Sequence, residues 1–314
     1  MIFLYFGVIL AAILALILIT AFICFRRVFY SPSRKPLADD EYDVPTGEVY
    51  DVFRDEMIGW IRANRDMPHL EMSTVSFDGL TLRGKFYKFA DGAPIEILFH
   101  GYRGNSERDL SGAVERCFSL GRSALIVDQR AAGASDGHVI SFGINESKDC
   151  ISWIECVLDT FGRDVTLVLG GVSMGAATVM TASGKPLPPN VKYIVADCGY
   201  TSPKEIISKV VREMKLPPKL LYPFIRLGAR IFGHFDLEET SPIDAVKKSA
   251  VPIIFFHGDA DGFVPAQMSK RLFEACSSPK MLSVIPGAEH GLAYPVDKEG
   301  YINAIKEFER KISF

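Results

Sequence analysis

A serine hydroxyl is a poor nucleophile until a base takes its proton and a third group orients that base. This 314-residue sequence offers one serine in a setting that suits the task. Leu167–Leu169 is apolar, Gly171-Val172-Ser173-Met174-Gly175 is a G-x-S-x-G turn, and Met174–Ser183 reads as a helix. The five-residue pattern alone is common by chance, and the bland reading is a Gly-rich turn with an incidental serine. A strand before it and a helix after it raise its specificity, because such a turn lifts the central side chain off a sheet beside free helix N–H groups. The base is then sought just beyond a strand. Of six histidines, only His100, His257 and His290 stand at or past a strand's carboxyl end. His100 and His257 are each followed at once by glycine and are read as structural, which leaves His290 as the base. For the acid, Asp261 suits the order Ser…Asp…His. Asp259 reads as a turn residue, and Asp197, at the end of an earlier strand, is a third candidate. Acyl transfer also needs donors for an oxyanion. The backbone N–H groups of Met174, after the nucleophile, and of Tyr102, in His100-Gly101-Tyr102-Arg103-Gly104-Asn105, are the candidates.

The elements that must hold these residues alternate. Thr74–Phe77 and Thr81–Phe89 flank Asp78-Gly79, a hairpin signal. Ile95–Phe99, Ala124–Val127, Thr166–Leu169, Tyr193–Ala196, Ile253–Phe256 and Met281–Ile285 read as buried strands. Glu107–Leu120, Glu146–Phe161, Met174–Ser183, Pro265–Cys276 and Asp297–Lys311 read as helices between and after them. Apolar strands alternating with helices predict an α/β fold with a mostly parallel sheet covered on both faces. Residues 201–250 exceed a plain crossover and predict a small helical cap, its patches broken at Pro217, Pro218 and Pro223. Leu220, Leu221, Phe224, Ile225, Leu227, Ile231 and Phe232 there either line an acyl pocket or make ordinary helix-to-sheet packing.

Ile2–Phe25 is apolar almost throughout. As a helix it is roughly 36 Å long, against a hydrocarbon core of about 30 Å. A cleaved signal peptide wants a basic start and a small-x-small cleavage site, and neither is present. Residues 1–27 are therefore expected to be a single transmembrane anchor. Arg26, Arg27, Arg34 and Lys35 follow it and no basic residue precedes it, which places the large C-terminal part in the cytoplasm. Residues 28–69 read as a linker followed by an amphipathic helix over about 48–65, with Val49, Phe53, Met57, Trp60 and Ile61 at helical spacing. Its polar face is mixed in charge, so packing on the domain is preferred to a membrane-surface role. Six cysteines without C-x-x-C spacing suit a reducing compartment and argue against a disulfide framework or a metal site. A net charge of −3 with no basic stripe argues against nucleic acid.

His100-Gly101, Gly171-Val172-Ser173-Met174-Gly175, His257-Gly258…Asp261…Val264-Pro265 and Ala288-Glu289-His290, in this order, resemble the α/β-hydrolase superfamily over residues 70–314. Within it the chain is most similar to BEM46-like and prolyl-oligopeptidase-like serine hydrolases. Asp128-Gln129-Arg130…Gly133-Ala134-Ser135 resembles their loop after the fourth strand, although that family more often has glycine near Ala132. The resemblance implies an eight-stranded, mostly parallel sheet with its second strand antiparallel, and no cofactor. It implies a membrane-anchored carboxylic ester hydrolase with triad Ser173, His290 and Asp261, acting on a small-molecule or lipid ester. Thioesterase, lipid acylhydrolase and peptidase chemistry use the same groups. A non-catalytic ligand-binding protein on this fold is the rival from another class. Chain association is not legible.

Overall fold

The computed structural model describes residues 1–32, 38 and 40–314. Arg34 and Lys35, which entered the reading of the anchor, lie outside the described residues. In chain order the elements are α1 (Ile2–Val28), α2 (Glu48–Asp51), α3 (Arg54–Asp66), β1 (Leu70–Val75), β2 (Thr81–Tyr87), β3 (Ile95–Phe99), α4 (Ser106–Ser119), β4 (Ser123–Asp128), α5 (Ile144–Phe161), β5 (Leu167–Val172), α6 (Met174–Ala182), β6 (Val191–Asp197), α7 (Pro203–Glu213), α8 (Pro218–Phe232), α9 (Pro242–Val246), β7 (Ile253–Gly258), α10 (Ala266–Ala275), β8 (Lys280–Ile285), α11 (Ala293–Val296) and α12 (Lys298–Lys311).

The strands form one eight-stranded sheet in the order β1-β2-β4-β3-β5-β6-β7-β8. β2 runs antiparallel to both β1 and β4, and every later pairing is parallel. This is the α/β-hydrolase fold. The central strands are buried along their length, as the continuous apolar runs require when helices cover both faces. One face packs Trp153, Ile154 and Val157 of α5 with Val179 and Met180 of α6, and the other packs Ile61 of α3 with Ile305 and Phe308 of α12.

Two local expectations change. The amphipathic stretch from Glu48 is two helices, α2 and α3, interrupted at Val52 and Phe53. Pro223 lies inside α8 rather than breaking it, and Pro218 takes that helix's first turn, where a missing N–H costs nothing.

α1 is long and apolar enough to cross a membrane, a test that a signal sequence near an N-terminus also passes. Its residues 2–16 are exposed, whereas Ala21, Phe25 and the following Phe29 are buried against the cap. A Cβ at Gly228 of α8 would stand 2.4 Å from the Ala21 carbonyl oxygen, so only glycine permits this approach of the two backbones. Phe25 and Phe22 meet Phe232 with ring centres 5.8 and 5.1 Å apart. Phe29 meets Phe142 and Phe235 at 5.9 and 5.2 Å. Leu221, Ile225 and Phe232 of the cap therefore pack with the end of α1, a helix-to-helix contact that is neither the acyl pocket nor the helix-to-sheet packing expected of them.

Candidate active site

β5 delivers Ser173 at its carboxyl end, and α6 begins on the next residue. Ser173 sits at φ 56° and ψ −113°, a strained position for a side chain with a Cβ. The turn closes because Gly171 and Gly175 touch: a Cβ on Gly171 would lie 2.2 Å from the Gly175 carbonyl carbon, and one on Gly175 would lie 1.9 Å from the Phe99 oxygen. The Ser173 N–H donates to the Asp197 carbonyl at 2.8 Å, fixing the turn to the end of β6.

The loops after β7 and β8 bring Asp261 and His290 to this serine. Ser173 Oγ lies 2.9 Å from His290 Nε2, and His290 Nδ1 lies 2.8 Å from Asp261 Oδ2. With the proton on Nδ1, as the Asp261 partner requires, Nε2 is left to accept from the serine. Asp261 Oδ1 accepts from the Phe263 and Val264 N–H groups at 2.9 and 2.8 Å. Burial pushes the Asp261 carboxyl up. Hydrogen bonds from His257, His290 and Val264 outweigh that and hold it below the usual carboxylate range. The three side chains read from the sequence thus stand in one hydrogen-bonded line.

The competing residues take other work. Asp259 Oδ1 accepts from the Gly287 N–H at 2.6 Å and ties the two loops together. The Asp197 side chain makes no hydrogen bond to His290. His257 is fully buried between Ser269 Oγ at 2.6 Å and the Val264 carbonyl at 2.8 Å, with Asp261 Oδ2 at 3.2 Å. His100 contacts its neighbour's carbonyl, Gly101 O, at 2.8 Å and accepts from the Gln129 N–H at 3.0 Å.

The loop after β3 is held from both ends. Its Gly101 N–H donates to Asp109 Oδ2 at 3.0 Å. The Tyr102 hydroxyl donates to the Val28 carbonyl at 2.7 Å, and Arg103 Nη2 donates to the Arg27 carbonyl at 2.8 Å. A helix leaves its last carbonyls unpaired, and here the loop's side chains satisfy two of those of α1. The backbone N–H groups of Tyr102 and Met174 have no acceptor among the described residues. Both residues flank the serine: Tyr102 lines its cavity, and Met174 is the first residue of α6.

The cavity at Ser173 and His290 has a volume of about 370 Å³. Its wall includes Met57 and Trp60 of α3, which sequence reasoning packed on the domain but not at the site, and Tyr50 of α2, which that reasoning did not single out. The Tyr50 hydroxyl donates to the His290 carbonyl at 2.9 Å, and burial pushes its phenol up to about 12. Helical spacing shows that such residues face the domain; nothing local says which part of it. Cys198, Asp261 and His290 offer three donor atoms close enough for a metal. Burial raises the Cys198 thiol well above its ordinary range, so it is a poor thiolate ligand, and Asp261 and His290 already hold each other.

Residues 163–290 match a family model described as serine hydrolase (FSH1), and the match contains Ser173, Asp261 and His290. The esterase Pf2001 of Pyrococcus furiosus superposes with a TM-score of 0.66 at 18% identity, over 90% of this chain and 98% of that protein. The chain thus has the fold of the α/β-hydrolases, and its segment 163–290 is similar to a serine hydrolase family. Among the chain's relatives, YqkD of Bacillus subtilis is 27% identical over 213 residues, covering 68% of this chain and 70% of that protein. The bem46 protein of Schizosaccharomyces pombe is 24% identical over 221 residues, covering 69% and 68%.

Proposed function

We propose that this hydrolase cleaves carboxylic esters through an acyl-enzyme, with residues 70–314 as its catalytic domain and 201–250 as its cap. The observation that carries the reading is the unbroken line from Ser173 Oγ through His290 to Asp261 at the mouth of a cavity. Ser173 Oγ attacks the acyl carbon as His290 Nε2 takes its proton. The oxygen that becomes negative is held by the Tyr102 and Met174 N–H groups. His290 then gives its proton to the departing alcohol, leaving the acyl group on Ser173. Water, losing a proton to His290, attacks that acyl carbon, and return of the proton to Ser173 Oγ frees the acid. Asp261 holds the imidazole in the required tautomer and stabilises its charged form. Esters, thioesters and amides share these steps, and the fold does not choose a substrate among them.

The part of α1 that precedes its first buried residue, Ala21, is about 28 Å long at about 1.5 Å per residue, close to a hydrocarbon core of about 30 Å. We infer that it anchors the protein. Arg26 and Arg27 at its carboxyl end favour a cytoplasmic catalytic domain.

The test is labelling of the full chain in detergent with a fluorophosphonate, with the adduct mapped by mass spectrometry. Labelling on Ser173, lost in both Ser173→Ala and His290→Ala, is the expected outcome. Ester turnover retained by Ser173→Ala overturns the reading.

A further inference from the structure

His290 moves a proton in each step of the ester reading, yet its own backbone is barely held. It lies between Gly287 and Gly291, both in the left-handed region at φ 72° and 71°. Two ties fix the loop before the histidine. The Gly287 N–H donates to Asp259 Oδ1, and Glu289 Oε2 accepts from the Gly262 N–H at 3.1 Å. At His290 itself the backbone ladder stops: among the described residues its N–H has no acceptor, and no backbone N–H donates to its carbonyl. That carbonyl is taken instead by the Tyr50 hydroxyl, 2.9 Å away and 240 positions earlier in the chain.

Tyr50 is itself well placed to hold something. Its N–H and that of Asp51 both donate to the Gly47 carbonyl, at 2.8 and 2.9 Å, and its own carbonyl accepts from the Phe53 N–H at 2.9 Å. The ring packs on the cluster that contains Ala288 and Leu292, two residues to either side of His290. Val44, at the start of the same segment, is buried in that cluster. Burial keeps the phenol protonated well past neutrality, so the donor is always present.

A turn of the His290 backbone swings the imidazole with it. The 2.9 Å from Nε2 to Ser173 Oγ is then lost, and a misplacement of about 1 Å at a reacting group can cost about a hundredfold in rate. Asp261 holds the ring from Nδ1 but leaves the backbone free to pivot about that bond. The Tyr50 bond supplies the second point that fixes a direction. We propose that Tyr50 is a positioning residue for the base: its hydroxyl, through the His290 carbonyl, sets where Nε2 stands against Ser173 Oγ. The segment that precedes the catalytic domain therefore completes the site. The inference rests on ester cleavage at Ser173.

The test uses the full chain in detergent, a chromogenic ester, and kcat counted per Ser173 labelled by fluorophosphonate, so that misfolded chains drop out of the measurement. Tyr50→Phe deletes the hydroxyl and keeps the ring that lines the cavity. It is expected to lower kcat by about tenfold with KM unchanged, the mark of an interaction that serves the transition state. The rate of labelling falls by the same factor, because both reactions wait on the same proton transfer. Val49→Ala, on the same short helix and 41% exposed, leaves kcat, KM and labelling at their native values. Native kcat per labelled site in Tyr50→Phe overturns the proposal. So does a loss carried by KM alone, or a Tyr50→Phe chain in which no serine labels, since the hydroxyl then serves the wall or the fold and not the base. Absence of labelling and turnover in the native chain defeats the hydrolase reading itself and takes this inference with it.

Discussion

Ser173 stands between two walls built from similar material and packed differently. On one side α1, α8 and the loop bearing Phe142 close over the oxyanion loop with interlocked aromatic rings. On the other, α3, α4, α11 and α12 contribute Trp60, Arg116, Tyr294 and Tyr301 around open space. The difference lies in the tips of the side chains. Phenylalanines bury without conditions, and their edges pack into one another. Tyrosine, tryptophan and arginine carry donors that fix their direction: the Trp60 and Tyr294 tips both reach Glu115, at 2.8 and 3.0 Å, and cannot also turn inward to fill the space. The solid wall positions the loop, and the hollow one leaves room for a substrate.

The contrast can be broken most severely from the solid side. Phe29→Ala removes a fully buried ring among Phe142 and Phe235 and is expected to cost about 3–5 kcal/mol, read from denaturant unfolding of the full chain. A loss under about 1 kcal/mol would show that α1 is only loosely attached. Gly228→Val comes next. Its added carbons meet the Ala21 carbonyl, and a cost of about 1–3 kcal/mol is expected, with α1 more open to proteolysis near its buried end. Tyr102→Phe keeps the backbone N–H but deletes the bond to the Val28 carbonyl. It should cost about 1 kcal/mol and slow fluorophosphonate labelling, since the loop loses one of its side-chain ties to α1.

The hollow side sharpens the comparison by tolerance. Val195→Leu extends into space, so its stability cost should stay below about 1.5 kcal/mol while longer acyl chains lose turnover. Acid makes the smallest difference. Bonds from Arg226 and Arg230 hold the Asp236 carboxyl below its usual range at the cap's edge. A depressed folded-state pKa adds stability that is present above the unfolded value, about 3.9, and is lost as pH falls below it. The melting temperature should therefore drop below about pH 4, and drop less in Asp236→Asn.

Ser173, Asp261 and His290 were legible because each follows an apolar run, and a run that ends in a glycine-bearing loop marks a strand's carboxyl end whatever the rest of the chain does. The same reasoning separated Asp259, whose neighbours are turn residues, from Asp261. It could not reach Tyr50 and Trp60. Their helical spacing announces a buried face but says nothing of what that face covers, and the distance from Tyr50 to His290 along the chain exceeds any local signal. Pro223 misled for a related reason: its propensity to break a helix is local, and the packing of α8 on α1 overrides it.

By itself, then, the order of strands, helices and glycine turns determined a mostly parallel α/β sheet and the residues at its strand ends, because backbone periodicity and turn chemistry are properties of neighbours. Tertiary structure alone decided that the end of α1 is part of the domain, through the Ala21–Gly228 approach and the Tyr102–Val28 bond. It alone decided that Arg116 and Asp197 share a cavity. Both outcomes depend on side chains far apart in sequence filling, or failing to fill, the same volume, and no local pattern encodes that volume.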